Sequence, residues 1–389
     1  MDRQARITEI EQFIGYVIEQ WPRDRARYQD QIAQRCTRCI LSDRCAPIED
    51  GLCAHCRAFE AASEPDPATT VSFPGASEEA IGAVLSRYAG AGAQDYDALV
   101  MFSGGKDSAY VLHRLRTEFA SLRVLAVTVD NGFLSPVAMD NVQRALPLLE
   151  GVDHMVYRAR PRLYAQTFRH AFTHLNEGGC YATVDRMDGD LTLDIGRNLA
   201  ASMRIPLLVI GLSPPQVGGI LGLSTFETTP AEEARRRTTA AGFDLEALYA
   251  SDDWKYWWDG TRWPAESVPH VLYPFCGWNY DEQQIRGDVV RLGLVGPNQD
   301  NPLITNNDTI PLMLAVDSMF LGFSGFEPEF ARLVRGGGAD RNFWLAVCEA
   351  LELLTRQGRF LPGCLDDTLG RLDLTRKDVG LPEQQTAAA

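Results

Sequence analysis

The sequence predicts an α/β fold, a doubly wound, Rossmann-like parallel sheet with a cysteine-rich module before it and a helical region after it. Short apolar runs alternate with stretches of helical periodicity between residues 77 and 250. A glycine-rich loop follows the first of these runs, and two Cys-x-x-Cys pairs precede it. Strands separated by single helices form parallel sheets, and such sheets bind ligands at the carboxyl ends of their strands.

Five segments are predicted along the chain. They are an N-terminal segment at 1–34 with an amphipathic helix over 7–21, a zinc-ribbon-like module at 35–62, the sheet domain at 77–250, the helical region at 251–380 and a disordered tail at 381–389. A polar, proline-rich stretch at 61–76 links the module to the sheet domain.

Composition limits the function classes. The 389 residues are 45% hydrophobic and 23% charged, as in soluble globular proteins. The sequence shows no apolar run that could span a membrane and no signal peptide, so we expect a cytoplasmic protein with no membrane partner. The net charge of −15 disfavours a nucleic-acid partner, because phosphate binding relies on basic surfaces. A small molecule is the expected substrate.

Four cysteines have the spacing of a tetrahedral Zn²⁺ site. They are Cys36, Cys39, Cys53 and Cys56, two tight pairs separated by thirteen residues. Disulfides are the alternative, which a reducing compartment disfavours. Cys45 and His55 lie close in sequence and could replace a ligand. Four thiolates leave the metal no open position, so the predicted role is structural or docking.

The periodicity places each strand and helix of the sheet domain. Strands are predicted at 97–102, 122–129, 154–157 and 207–210, with helices at 77–89, 108–119, 136–149 and about 190–203. Helices are also predicted at about 281–292 and 309–321. The carboxyl end of the first strand is therefore the expected position of the main site.

The loop at that strand end is the strongest candidate site. It reads Ser103, Gly104, Gly105, Lys106, Asp107 and Ser108. Glycines let the backbone approach an oxyanion, and the start of the next helix offers unpaired N–H groups and a partial positive charge. Lys106 adds a full positive charge. The spacing is not that of a Walker A loop, and an ordinary strand–turn–helix junction is the alternative.

These six residues resemble the SGGxDS signature of the N-type ATP pyrophosphatases, the PP-loop family. The resemblance implies that residues 103–108 bind ATP, that AMP is transferred to a substrate oxygen, and that pyrophosphate leaves. It implies catalytic roles for Lys106 and Asp107 and a need for Mg²⁺. Asp130 follows the second strand and would bind magnesium or the nucleoside; the alternative is an aspartate that caps a turn.

The order of motifs from residue 35 to residue 220 resembles the N-acetyl sugar amidotransferase subgroup of that family. Cys180 matches the first cysteine of the subgroup's mid-chain CxxC, whereas Thr183 stands where the second would be. Gly211 begins a match to a later Gly-Glu-Asn-Pro element, in which Leu212 replaces the acidic residue. Both differences, Thr183 and Leu212, fall in the motifs that are expected to recognise the substrate.

Two single cysteines and an aromatic segment are further candidates. Cys180 follows two glycines, and Cys276 lies in a proline-bounded loop before a helix; an inert buried cysteine is the alternative for each. Residues 254–263 contain four of the seven tryptophans, which indicates either packing or a lid. His170 and His174 have a spacing that can hold a metal but lack a third ligand in the motif, so a helix-surface or core role is favoured.

The resemblance implies an adenylated amide or carboxyl oxygen that a nucleophile then replaces. Ammonia from a separate glutaminase would make this an amidotransferase, the interpretation that the resemblance favours. A sulfurtransferase would instead use Cys180 as the cysteine that carries the sulfur and Cys276 as the resolving cysteine, and a sulfur-donor protein would supply the sulfur. A nucleotide-binding scaffold without turnover is the third alternative. A homodimer is a possible assembly.

Overall fold

The computed structural model of the chain describes residues 1–61, 72–238, 242–297, 299 and 307–384. The chain forms two compact units. The cysteine–helix unit comprises residues 1–70, 165–185 and 308–389, and the sheet unit comprises residues 71–164 and 186–307. Most of the predicted linker and residues 385–389 of the predicted tail lie outside the described residues. The five predicted segments remain a prediction.

The strands belong to a small hairpin and one large sheet. In chain order they are β1 (Ile48–Glu49), β2 (Leu52–Cys53), β3 (Ala98–Met101), β4 (Val124–Asp130), β5 (Val152–Arg158), β6 (Leu207–Ile210), β7 (Glu227–Thr228) and β8 (His270–Leu272). β1 and β2 pair antiparallel in the cysteine–helix unit, and the other six strands form the sheet of the sheet unit.

The α-helices alternate with the strands of the sheet and then follow one another toward the C-terminus. They are α1 (Arg3–Gly15), α2 (Trp21–Asp24), α3 (Ala54–Ala61), α4 (Glu78–Tyr88), α5 (Lys106–Glu118), α6 (Pro136–Ala145), α7 (Pro161–Thr173), α8 (Arg186–Ser202), α9 (Pro214–Gly219), α10 (Pro230–Glu233), α11 (Leu245–Leu248), α12 (Glu282–Arg291), α13 (Ile310–Phe320), α14 (Glu327–Arg335), α15 (Arg341–Arg356) and α16 (Pro362–Leu372). No helix among the described ranges is long and apolar enough to cross a bilayer.

The large sheet has the strand order β5-β4-β3-β6-β8-β7, parallel except for the antiparallel edge strand β7. β3 and β6 are central, and all of their residues are buried, which explains their uninterrupted apolar sequences. From β3 the chain moves outward to β4 and β5, then returns to β6 and β8 on the other side. This reversal is that of a doubly wound sheet, and such sheets bind ligands at the reversal point, which here lies at the ends of β3 and β6.

The predicted fold class is confirmed: a largely parallel sheet with helices, a four-cysteine cluster near the N-terminus and a helical C-terminal region. The helix predicted near 190–203 begins earlier, because helical residues already run from Gly179 through a π-helical turn at Tyr181–Asp185 into α8. The short strands β7 and β8 were not predicted. Two or three residues are too few to show a strand periodicity.

The cysteine–helix unit joins the two ends of the chain. Phe13 of α1 packs edge-to-face on Phe360, with ring centroids 5.1 Å apart. The buried carboxylate of Glu349 in α15 accepts hydrogen bonds from Trp21 Nε1 at 3.0 Å and Arg25 Nε at 2.7 Å. The predicted amphipathic helix is therefore present, and it packs on the C-terminal helices of its own chain.

Candidate active site

The glycine-rich loop connects β3 to α5 at the reversal point of the sheet. Gly104 has φ +76°, and a Cβ at this position would overlap the carbonyl oxygen of Ala138 in α6. Both facts require glycine here. Gly211, which follows β6, lies beside the first turn of α5, where an added Cβ would be 3.3 Å from Ser108 Cα. The loop is thus enclosed by α6 on one side and the end of β6 on the other.

Two serines fix the shape of this loop. Ser108 Oγ accepts a hydrogen bond from Ser103 N at 3.3 Å and donates one to Gly105 O at 3.1 Å. Gly105 N in turn donates to Ser103 Oγ at 3.3 Å. α5 then begins at Lys106 without a side-chain cap. Its first N–H groups are the kind of donors that bind phosphate at a helix start.

Lys106 is held by two carboxylates and a tyrosine. Its Nζ donates to Asp107 Oδ2 at 2.7 Å and to Tyr280 OH at 3.4 Å, and it lies 3.8 Å from Glu282 Oε1. Burial disfavours the charged form, but Asp107 and then Glu282 outweigh this and raise the pKa of Lys106. The ammonium is therefore charged at neutral pH and balanced by anions of its own chain.

Polar side chains also lie at the end of β4. Asp130 accepts hydrogen bonds from Gly132 N at 2.8 Å and Arg158 Nε at 2.9 Å, so its carboxylate pairs with the neighbouring strand β5. Asn131 donates to Asp188 of α8 at 3.0 Å. A nucleotide- or magnesium-binding role for Asp130 remains a prediction. Any such ligand would share the Asp130 carboxylate with Arg158.

The sequence did not reveal that Tyr280 and Glu282 lie close to Lys106. They lie in a segment at residues 273–282 that directly follows β8. Because β8 is parallel to β6, the segment begins at the same edge of the sheet as the loop. The proline-bounded aromatic sequence marked this segment as unusual. Its place beside the loop could not be predicted, because it depends on β8, a strand of three residues that shows no periodicity.

The two single cysteines lie in different units. Cys276 ends a helical turn after β8 in the sheet unit; it is half-buried, and burial raises the pKa of its thiol to about 12. Cys180 lies in the cysteine–helix unit and is fully buried. Burial, and then the carboxylate of Asp317, raise the pKa of its thiol well above the usual range. In both cysteines burial disfavours the thiolate form that nucleophilic chemistry needs. Their catalytic roles remain predictions.

Gly179, directly before Cys180, has a structural explanation. Cys180 N donates to Asp317 Oδ1 at 2.7 Å, and Asp317 is 1% exposed. Gly179 has φ +65°, and a Cβ on it would overlap that same carboxylate oxygen. A Cβ on Gly325 would overlap the second carboxylate oxygen. Gly179 and Gly325 therefore make room for a buried acid, and no ligand is needed to explain these two glycines.

Asp317 is expected to make stability depend on pH. Burial raises its pKa from 3.8 to about 6, despite the hydrogen bond from Cys180 N. The folded state thus holds this proton more tightly, so the associated stability is present below pH 4 and is lost as the pH rises through 6. Between pH 4 and pH 7 we expect the parent to lose about 2 kcal/mol more of its free energy of unfolding than Asp317→Asn does, as measured by urea unfolding. Exposed Asp30→Asn is the control; parallel pH curves for parent and Asp317→Asn would contradict the prediction.

The tryptophan-rich segment is mainly packing. Trp257 and Trp258 are buried, and Trp258 Nε1 donates to Glu233 O at 3.1 Å. The rings of Trp258 and Trp263 stack 6.4 Å apart. The His170 and His174 rings also stack, at 4.0 Å, and His174 Nδ1 lies 2.9 Å from His170 O. Neither histidine is in the one cluster of potential metal ligands found among the described residues.

That cluster is the predicted four-cysteine site. Cys36, Cys39, Cys53 and Cys56 are fully buried, and their Sγ atoms all lie within 4.8 Å of one another, with 3.7 Å between Cys39 and Cys53. Cys53 N donates to Cys36 Sγ and Leu41 N donates to Cys39 Sγ, each at 3.4 Å. Zn–S bonds of ~2.3 Å in a tetrahedron put the sulfurs ~3.8 Å apart, so the four thiols fit a single ion.

Neighbouring helices hold the four-cysteine cluster in place, and the burial of its thiols favours a bound cation. Phe330 of α14 and Cys348 of α15 pack on it, and Arg341 of α15 donates to Cys39 O at 2.9 Å and Cys36 O at 3.0 Å. Burial and then repulsion between the thiolates raise the pKa of Cys39. Burial likewise raises the pKa of Cys56, to about 11. A bound cation removes this penalty, because it stabilises the thiolate form.

Comparison with known proteins gives partial likenesses. No family model matches the chain. It is 36% identical over 84 residues to a probable glutamine-hydrolysing GMP synthase of Caenorhabditis elegans, a match that covers 22% of this chain and 10% of that protein. The chain thus spans about a tenth of that relative's length.

Solved structures with a similar course of the chain include two enzymes. The U34-tRNA thiolase NcsA of Methanococcus maripaludis, with its [4Fe-4S] cluster, is 13% identical, with a TM-score of 0.34 over 71% of this chain and 80% of that one. The NMN synthetase of Francisella tularensis is 9% identical, with a TM-score of 0.33 over 76% of this chain and 96% of that one.

Proposed function

We propose that the protein is an ATP-dependent enzyme that forms AMP and pyrophosphate, and that it is an amidotransferase acting on a small molecule. One observation carries the proposal. The loop at residues 103–108 has the sequence of an ATP pyrophosphatase loop, lies at the reversal point of a parallel sheet, and leads into a helix start without a side-chain cap, beside Lys106.

The chemistry follows from the charges at this loop. An amide or carboxyl oxygen of the substrate attacks the α-phosphorus of ATP, the bond to the bridging oxygen breaks, and pyrophosphate leaves with the electron pair. Lys106 and the N–H groups of α5 stabilise that negative charge where it develops. Mg²⁺ would share this work, with Asp107 and Asp130 offering the oxygen ligands that it prefers. Ammonia then displaces AMP from the activated carbon.

Nitrogen is the better incoming group for this site. A sulfurtransferase needs an accessible thiolate to carry persulfide, whereas Cys180 is fully buried and the thiol pKa values of Cys180 and Cys276 are raised. The match to a glutamine-hydrolysing GMP synthase also supports ammonia. We propose that a separate glutaminase supplies it.

The test supplies ATP, magnesium and a panel of small amides and carboxylic acids, with either isotope-labelled ammonium or sulfide, and follows AMP formation and product mass. We expect acceptor-dependent AMP formation and incorporation of the labelled nitrogen. Cys180→Ser and Cys276→Ser should each retain most of the ammonium-dependent rate. Sulfide-dependent formation of a thio product, with no incorporation of the labelled nitrogen, would establish a sulfurtransferase instead. ATP binding without AMP formation for any acceptor would favour the scaffold.

We propose that the four cysteines hold one Zn²⁺ in a structural role. The short distances between the thiols support a single ion, because a four-iron cluster distributes its cysteine ligands over separate iron atoms and so holds them farther apart. Zinc alone in the purified protein, with no visible absorption band, is the expected result. Iron and sulfide in equal amounts would overturn the assignment.

A further inference from the structure

The segment at residues 273–282 is firmly held on α5 and α4. The Phe275 ring stacks on Tyr110 of α5, with centroids 6.3 Å apart, and meets the Tyr280 ring edge-to-face at 5.0 Å. The Arg114 guanidinium lies 4.0 Å above the Trp278 ring, and Arg114 also pairs with Glu78 of α4 at 2.8 Å. These contacts fix the positions from which Tyr280 and Glu282 reach the loop.

Glu282 lies between two cations. Its Oε1 is 3.8 Å from Lys106 Nζ and 3.6 Å from Arg286 Nη2, one turn farther along α12. Tyr280 OH accepts from Lys106 Nζ at 3.4 Å and donates to Asp107 Oδ1 at 3.1 Å. The Lys106 ammonium, which has three donors, is thus directed at Asp107, Tyr280 and Glu282 together.

We propose that Glu282 sets the affinity of the loop for ATP by competing with phosphate for Lys106, and that Arg286 accepts Glu282 when Lys106 turns to the phosphate. This rests on the proposed function, since it assumes that ATP is the ligand of the loop. Glu282 is an affinity-determining residue that acts through Lys106, and no catalytic step is assigned to it.

The charges of the four groups explain the competition. Lys106 and Arg286 carry two positive charges, and Asp107 and Glu282 carry two negative ones, so the set is neutral before a triphosphate arrives. A phosphate that approaches Lys106 must replace one anion and meets the repulsion of the other. Glu282 is the anion that can leave, because Arg286 is already within reach, whereas Asp107 is adjacent to Lys106 in the chain and tied to it at 2.7 Å.

Removal of the Glu282 charge is expected to tighten ATP binding. Glu282→Gln keeps the size of the side chain, so we expect a dissociation constant for Mg·ATP about threefold to tenfold lower than the parent's, by calorimetry on the full chain, with a smaller difference at high salt. AMP, which lacks the pyrophosphate part, should bind both proteins equally. Asp288→Asn is the matched control, since Asp288 lies on the same helix and pairs with Arg291 at 2.7 Å.

A second variant tests whether Arg286 acts through Glu282. We expect Arg286→Gln to weaken Mg·ATP binding in the parent about threefold, and to have a clearly smaller effect in the Glu282→Gln background. Equal effects in both backgrounds would show that Arg286 acts directly on the ligand, which would overturn the proposed exchange. This double-mutant comparison uses binding alone, so it needs no acceptor substrate.

The outcomes separate this inference from the function on which it rests. ATP that binds the parent, with Glu282→Gln and Asp288→Asn giving the parent's affinity, would overturn the role of Glu282 and leave the proposed function intact. Absence of ATP binding to the parent itself would overturn both. Tighter binding of AMP as well as ATP in Glu282→Gln would also contradict the inference, because competition for Lys106 concerns the phosphates that AMP lacks.

Discussion

Lys106→Ala is expected to lower the rate of AMP formation by about 100-fold to 1,000-fold, the usual cost of removing a positioned donor from a developing negative charge. The Lys106 side chain is 17% exposed and lies at the start of α5, so water replaces its charge poorly. Its pKa is raised, so the ammonium is present throughout the neutral pH range. The measurement is AMP and pyrophosphate formation at saturating ATP.

A matched control separates chemistry from stability. Lys377→Ala removes a lysine from the cysteine–helix unit and should leave the rate unchanged. Urea unfolding of Lys106→Ala should show a folded protein, because the variant relieves the burial of one charge while Asp107 keeps its hydrogen bond from Tyr280. AMP formation by folded Lys106→Ala at the parent's rate would refute the assignment of the loop.

Cys39→Ser is expected to lose the metal that we propose for the four-cysteine site and to lower the free energy of unfolding by more than about 3 kcal/mol. Cys39 is fully buried among the other three sulfurs, so its loss leaves thiols without the cation that compensates their burial. Because Phe330 of α14 and Cys348 of α15 pack directly on the cluster, we expect its loss to destabilise these two helices as well. Metal content by mass spectrometry and urea unfolding measure the two effects.

Cys45→Ser is the control for the four-cysteine site. Cys45 packs beside the cluster but does not belong to the four potential ligands. We expect Cys45→Ser to keep the metal and most of the stability, and a chelator to destabilise it as much as the parent. Full metal content in Cys39→Ser, or metal loss in Cys45→Ser, would mean that the ligand set is different.

Local sequence signals predicted the main elements of the sheet unit. The strands β3, β4 and β6 were recognisable as apolar runs, and the helices α4, α5, α6 and α12 by their helical periodicity, so all of them lie within a few residues of their predicted positions. The four cysteines meet as their spacing predicted. β7 and β8 are too short to show a pattern. The start of the helical stretch before α8 was hidden by Gly178 and Gly179, and Gly179 is required there by the distant Asp317.

The sequence by itself determined what depends on neighbours in the chain: alternating strands and helices, the loop at residues 103–108, and the cysteine knuckles. Only the tertiary structure decided which side chains surround these motifs. Tyr280 meets Asp107 across 173 residues of chain, and Asp317 meets Cys180 across 137. Such contacts depend on strand order and helix packing, and no local pattern encodes them because the residues that meet have no fixed spacing in sequence.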